Sequence, residues 1–360
     1  MRKISFYLAV VGLVLSLMVT ACAKPAPAPT PAPAPTPAPA PAPVKPIDLS
    51  LSLSASSVSN TVQEVLEPWS KEIEKRTEGR VKIKIYAGEV LGKANEQYDL
   101  VMTGVADMAL VLPAQHPGRF PVSDVSMIPD LLPEGAVDKT GKRVLDTVLE
   151  KYILPIDFKE MKALWGTRYP DSKLLTRTKA VRTMEDMEGL VIGIPGGKTW
   201  QLLITSLGGS PEFILIPDMY TALERGLIDG YAVGPMVLAS FKIYEVIKYV
   251  TELPSISGLA AMCMGYETWN SLPPDIQKII EELSPMAPEL WYNSDTKQVE
   301  YAISISKEAG IEFIELSPEE EQRWLEATKH IEEEWTAELD AVGLPGTEMV
   351  NEIHRLLSER

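Results

Sequence analysis

Cysteine is almost missing from this 360-residue chain: Cys22 and Cys263 are the whole supply, far apart, and they give no disulfide framework. Stability must come from cores, which 45% hydrophobic content permits. Cys263, in Ala-Ala-Met-Cys-Met, reads as a small buried hydrophobe. Histidine is scarce too. His116, His330 and His354 lack metal-ligand spacing, so no metal site is expected. There is no Gly-x-Ser-x-Gly elbow and no placed Cys–His pair, so an exported enzyme finds no support. Positive charge is short, with 34 Lys and Arg against 50 Asp and Glu. A net charge of −16 repels nucleic acid and anionic lipid. The apolar run from Ile4 to Val19 has 16 positions, short for a membrane span of roughly 20 residues.

What is present begins with an export pattern. Arg2 and Lys3 precede that apolar run, which ends in Val19-Thr20-Ala21-Cys22. This is a secretory signal with a small-residue cleavage site. It resembles the bacterial lipobox, and the resemblance implies that Cys22 is acylated and anchors the chain to a membrane. Residues 23–46 are nearly all Pro and Ala, a segment that favours extended polyproline II and serves as a semi-rigid spacer. Cleavage before Cys22 removes Arg2 and Lys3, taking the charge from −16 to −18. A tethered body outside the cytoplasm has little access to cytosolic cofactors, and none is expected.

The body, from about residue 47, is long enough for two lobes. Ile47–Ser54 alternates as a strand. Thr61-Val-Gln-Glu64 has capping-box spacing, and Val62, Leu66, Trp69 and Ile73 follow at helical intervals. Val81–Tyr86 alternates again, then a helix near residues 94–103 and a strand at 108–112 complete a βαβαβ unit. That order implies an α/β fold with a mostly parallel sheet. A Pro-rich stretch, 113–132, reads as a surface loop, followed by a helix over about 138–152. The second half offers strands at 190–194, 213–216 and 228–233, helices at 200–207, 219–225 and 241–249, and a returning strand at 258–265. A long helix follows, kinked by Pro285 and Pro288. Ser317-Pro318-Glu319-Glu320 starts another, with Trp324, Ile331, Trp335 and Leu339 as its buried stripe.

These motifs together resemble the extracytoplasmic solute-binding proteins of TRAP transporters, the DctP type. They include Glu78-Gly-Arg-Val-Lys-Ile-Lys-Ile-Tyr86, Gly104-Val-Ala-Asp-Met108, Pro117-Gly-Arg-Phe-Pro121, Gly166-Thr-Arg168 and Tyr220-Thr-Ala-Leu-Glu-Arg-Gly-Leu-Ile-Asp-Gly230. The resemblance covers roughly residues 47–340. It implies a two-lobed periplasmic-binding-protein-like fold, with hinge strands, a long helix spanning both lobes, and ligand held between them. Residues 47–165 with about 254–285 would form lobe 1, and 166–253 with about 286–360 lobe 2. It also implies that the loaded protein docks on membrane permease subunits. A ligand-sensing lipoprotein is the alternative.

In the family a carboxylate ligand is usually gripped by an arginine on a second-lobe strand. Here Gly189-Leu-Val-Ile-Gly-Ile-Pro195 puts Gly193 at that position. A guanidinium gives paired charge-assisted bonds that glycine cannot. Arg168 is one compensation. The other is the turn Gly193-Ile-Pro-Gly-Gly-Lys-Thr199, whose backbone N–H groups, helix N-terminus and Lys198 suit an anion. The turn is one residue short of a P-loop, so nucleotide binding is not expected. Further cleft candidates are Ser56, Ser57, Trp165, Tyr169, Tyr231, Pro235 and Tyr266. The set points to a small organic solute, a carboxylate, aromatic or partly apolar, bound and not transformed.

Overall fold

The computed structural model describes residues 46–133, 135, 136 and 138–359. The leader, Cys22 and the Pro-Ala segment lie outside the described residues. Two sheets organise the rest. In the first, β1 (Ile47–Ser52) lies parallel to β2 (Val81–Tyr86) and β3 (Met108–Val111). The order is completed by β10 (Leu259–Met264), antiparallel between β3 and β4 (Lys162–Arg168). Period-two alternation does its work here. Leu49 and Leu51 of β1 enter a core with Trp69 and Ile73 of helix α1 (Glu67–Arg76). The capping box expected at Thr61 does not form. A π-helical turn over Thr61–Leu66 leads into α1 instead, its first N–H groups bonded to the Ser59 carbonyl.

The second sheet has the order β11 (Glu312–Ile314), β9 (Tyr249–Glu252), β5 (Lys173–Thr176), β8 (Gly230–Val233), β6 (Val191–Ile194), β7 (Ser210–Phe213). Strands β6, β7 and β8 are parallel, while β5 runs antiparallel to β8 and to β9. Strand β11 joins at the edge. The chain passes from the first sheet to the second between β4 and β5, and returns between β9 and β10. A long helix, α4 (Met286–Glu308), touches both the Thr61–Leu66 turn and the short helix Val237–Ser240. Between these, α2 (Lys198–Ser206) and α3 (Met219–Arg225) cover the second sheet.

Two further expectations are corrected. Residues 241–249 do not form one helix, only a single 3-10 turn at Ile243–Glu245. The apolar period at Ile243 and Ile247 fits one, but Lys242 at φ +54° stops it, and Val250 and Thr251 pair with Leu175 and Leu174 as β9. The C-terminal helix α7 (Gly346–Ser358) does not pack on the second lobe. Its Met349, Val350, Ile353 and Leu356 enter the core formed by Val144, Leu145 and Val148 with Phe120, on the first-lobe side. The capping signal at Ser317 is realised: its hydroxyl accepts from Glu320 N–H at 3.3 Å and starts α5 (Pro318–Thr328). Trp324 and Ile331 are buried in a second-lobe core, and Trp335 and Leu339 of α6 (His330–Ala341) in the first. Cys263 is fully buried, and burial pushes its thiol pKa up. Among the described residues no helix is long and apolar enough to cross a membrane.

Candidate functional site

A cavity of about 460 Å³ opens between the two sheets. Its first-lobe wall comes from the loop after β1 (Ser54, Ala55, Ser56, Val58, Ser59) and from the end of β3 (Leu110, Leu112, Ala114, Gln115). The second-lobe wall comes from Pro195, Trp200, Ile216 and Pro217, and, after β8, from Gly234, Met236, Val237 and residues 239–242. Crossing residues Tyr169, Ser172 and Gly258 close one side, and Gln298 and Tyr301 of α4 another. Carboxyl ends of parallel strands supply much of this wall, as sheet geometry favours. The lining is largely aliphatic and aromatic. Val58 is 73% and Tyr301 61% exposed, large apolar groups left open to solvent at the cavity wall. Lys242 is the charged side chain among the described lining residues.

Of the residues singled out from sequence, Ser56 and Tyr169 line this cavity. The others are placed elsewhere. Tyr231 is fully buried, its O–H donating to the Ile214 carbonyl at 2.6 Å. Its ring also explains Gly193. A Cβ there would stand 2.4 Å from Tyr231 Cδ2 and 2.8 Å from Ile228 Cδ1, so the space beside the strand is already filled. Trp165 is first-lobe core, edge-on to Trp69 at 6.0 Å and to Trp291 at 6.1 Å. Ser57 is exposed and Pro235 buried, both beside lining residues without lining the cavity. Tyr266 is half-exposed at the start of a helix beyond β10, away from the cleft.

The two expected compensations for the missing arginine are both engaged within the protein. Arg168 is largely buried and donates to the Leu132 carbonyl and to the Asp171 carboxylate. It borders a separate small cavity of about 40 Å³ beside Asp295. The turn before α2 does meet a carboxyl group, but it is the chain's own Asp124, which takes a backbone hydrogen bond from Lys198. Its Oδ1 lies 3.5 Å from the Cβ position of Gly197. Burial, then the neighbouring Asp157, raise the Asp124 pKa to about 7. Gln115 Nε2 donates to the Pro195 carbonyl at 3.0 Å in the same contact. Gly196, at φ +121°, is needed because a Cβ would fall 2.2 Å from the Ala114 carbonyl oxygen. The glycines of this turn therefore seat one lobe against the other. The Lys198 ammonium pairs with Glu338.

Sequence reading missed Phe241, Lys242, Gln298 and Tyr301. Phe241 and Lys242 were hidden by the helical period of 241–249. Their position just past a strand end is the signal that could have exposed them. Among the described residues no group of three His, Cys, Asp or Glu side chains is arranged to hold a metal ion.

Comparisons with known proteins fit this geometry. The family model described as bacterial extracellular solute-binding protein, family 7 (DctP) matches residues 51–338. The C4-dicarboxylate-binding periplasmic protein DctP of Rhodobacter capsulatus is 24% identical over 277 residues, 74% of this chain and 80% of its own length. A TRAP solute-binding protein of Rhodoferax ferrireducens T118, solved with copurified benzoate, superposes with a TM-score of 0.79 at 21% identity, covering 87% of this chain and 98% of its own. A marine metagenome TRAP solute-binding protein specific for aromatic acid ligands, with 3-hydroxybenzoate, gives a TM-score of 0.80 at 22% identity, covering 88% and 99%. With two sheets around an apolar cavity and a family match across most of its length, the chain belongs to the family 7 (DctP) extracellular solute-binding proteins.

Proposed function

We propose that this chain is the solute-capturing subunit of a TRAP-type secondary transporter. It takes a small, partly apolar, aromatic solute into the cleft and delivers it unchanged to membrane permease subunits. A lipidated Cys22 holds the body at the membrane on its Pro-Ala spacer, raising the local concentration of loaded protein at the permease. The observation that carries the reading is the apolar cavity of about 460 Å³ between two lobes joined by crossing strands and a shared helix. Closure of such lobes follows from contacts made to solute from both sides at once. The aromatic acids bound in two structural relatives, benzoate and 3-hydroxybenzoate, support the class.

A thermal-shift panel of aromatic acids, aliphatic acids, amino acids and neutral sugars tests this reading. At least one solute should raise the melting temperature in proportion to its concentration and be recovered unmodified. A chain that no solute in the panel stabilises, or that converts its solute, contradicts it.

A further inference from the structure

We propose that Lys242 is the charge anchor of the cleft, and that the solute is an aromatic acid carrying a single negative charge. This rests on the solute-capture reading and names the class of solute. Among the described residues, the other cationic candidates are already engaged. Position 193 bears no side chain, and Tyr231 fills the space beside it. The Arg168 guanidinium serves Leu132 and Asp171. The Lys198 ammonium pairs with Glu338, and its backbone N–H with Asp124. The cationic donors first expected to meet a ligand carboxylate are thus engaged within the protein.

Lys242 is exposed, lines the cavity, and makes no ion pair or side-chain hydrogen bond with any described residue. Its backbone sits at φ +54°, a conformation that costs a lysine energy. That bend ends the short helix Val237–Ser240 at the cavity and places the residue on its wall. A carboxylate meeting this ammonium gains a charge-assisted bond, which strengthens as lobe closure around the solute excludes water from the cleft. No second lining cation exists among the described residues, so a second carboxylate would be desolvated without a partner. One charge is favoured and two are penalised. Trp200, Phe241 and Tyr301 offer rings for the body of the solute, and Ser56 a hydroxyl from the opposite lobe.

Titration calorimetry on the purified chain tests this with benzoate, 3-hydroxybenzoate, the amide of each, and isophthalate. Each acid should bind at least about tenfold tighter than its amide, and isophthalate at least about tenfold weaker than benzoate. Lys242→Met should erase the acid–amide difference without changing the ligand-free melting temperature, and Lys242→Arg should retain it. Equal binding of acid and amide, preference for isophthalate, or an intact acid preference in Lys242→Met overturns the proposal. If only neutral or aliphatic solutes stabilise the chain, this inference fails while solute capture stands. If nothing in the wider panel binds, solute capture fails as well.

Discussion

Gly193 is where a missing side chain has the largest consequence. Tyr231 occupies the neighbouring volume and is itself tied to Ile214, so even a methyl group at 193 would overlap a fixed ring. Gly193→Ala should destabilise the fold by about 1–3 kcal/mol, the usual cost of overpacking a filled core. Urea unfolding checks this, and an unchanged midpoint would show that the ring yields freely. The sequence made the departure at 193 visible but not its cause, since Tyr231 is 38 residues away and meets it only through the β6–β8 pairing. The same limit applies across the cleft. Ser56 and Tyr169 were legible because they follow a strand or a motif. Gln298 and Tyr301 were not, because a long helix shows no sign in its own sequence of which solvent-facing turn overlooks a cavity.

At the scale of elements, the alternating strands β1 and β2 and the Ser317 cap were readable, because a two-residue period and a hydroxyl before proline are local signals. The three- and four-residue strands β5, β9 and β11 were not, since their assignment depends on partners elsewhere in the chain. The contact between Asp124 and the start of α2 is likewise tertiary, and it has a pH signature. Burial raises Asp124 to about 7, with Asp157 adding to it, and burial raises Asp157 to about 6. Unfolded aspartates titrate near about 4, so between about pH 4 and 7 the folded chain holds protons that the unfolded chain has lost. The contribution of this pair to stability therefore falls as pH rises through that window. Asp124→Asn should melt higher relative to the parent at about pH 8 than at about pH 5. The same melting difference at both values would contradict the assignment.

At the scale of the whole molecule, the two-lobed plan was legible from the order of motifs, because each βαβ unit builds its own sheet. The placement of α7 on the first-lobe core was not, as its apolar stripe fits either lobe equally well in sequence. The tether is a separate claim about residues before the described body. Cys22→Ser should release the chain from the membrane fraction into the soluble one, as fractionation and immunoblotting would report, and retention of the variant would contradict lipid anchoring. The central claim is that solute is held between the lobes. Crystallising the chain with the tightest-binding aromatic acid tests it most directly. The account predicts density for the solute between the Ser54–Ser59 loop and the Phe241–Lys242 turn, with its carboxylate at Lys242. Solute bound outside the cleft, or inside it with its charge turned away from Lys242 toward Arg168, would contradict the account.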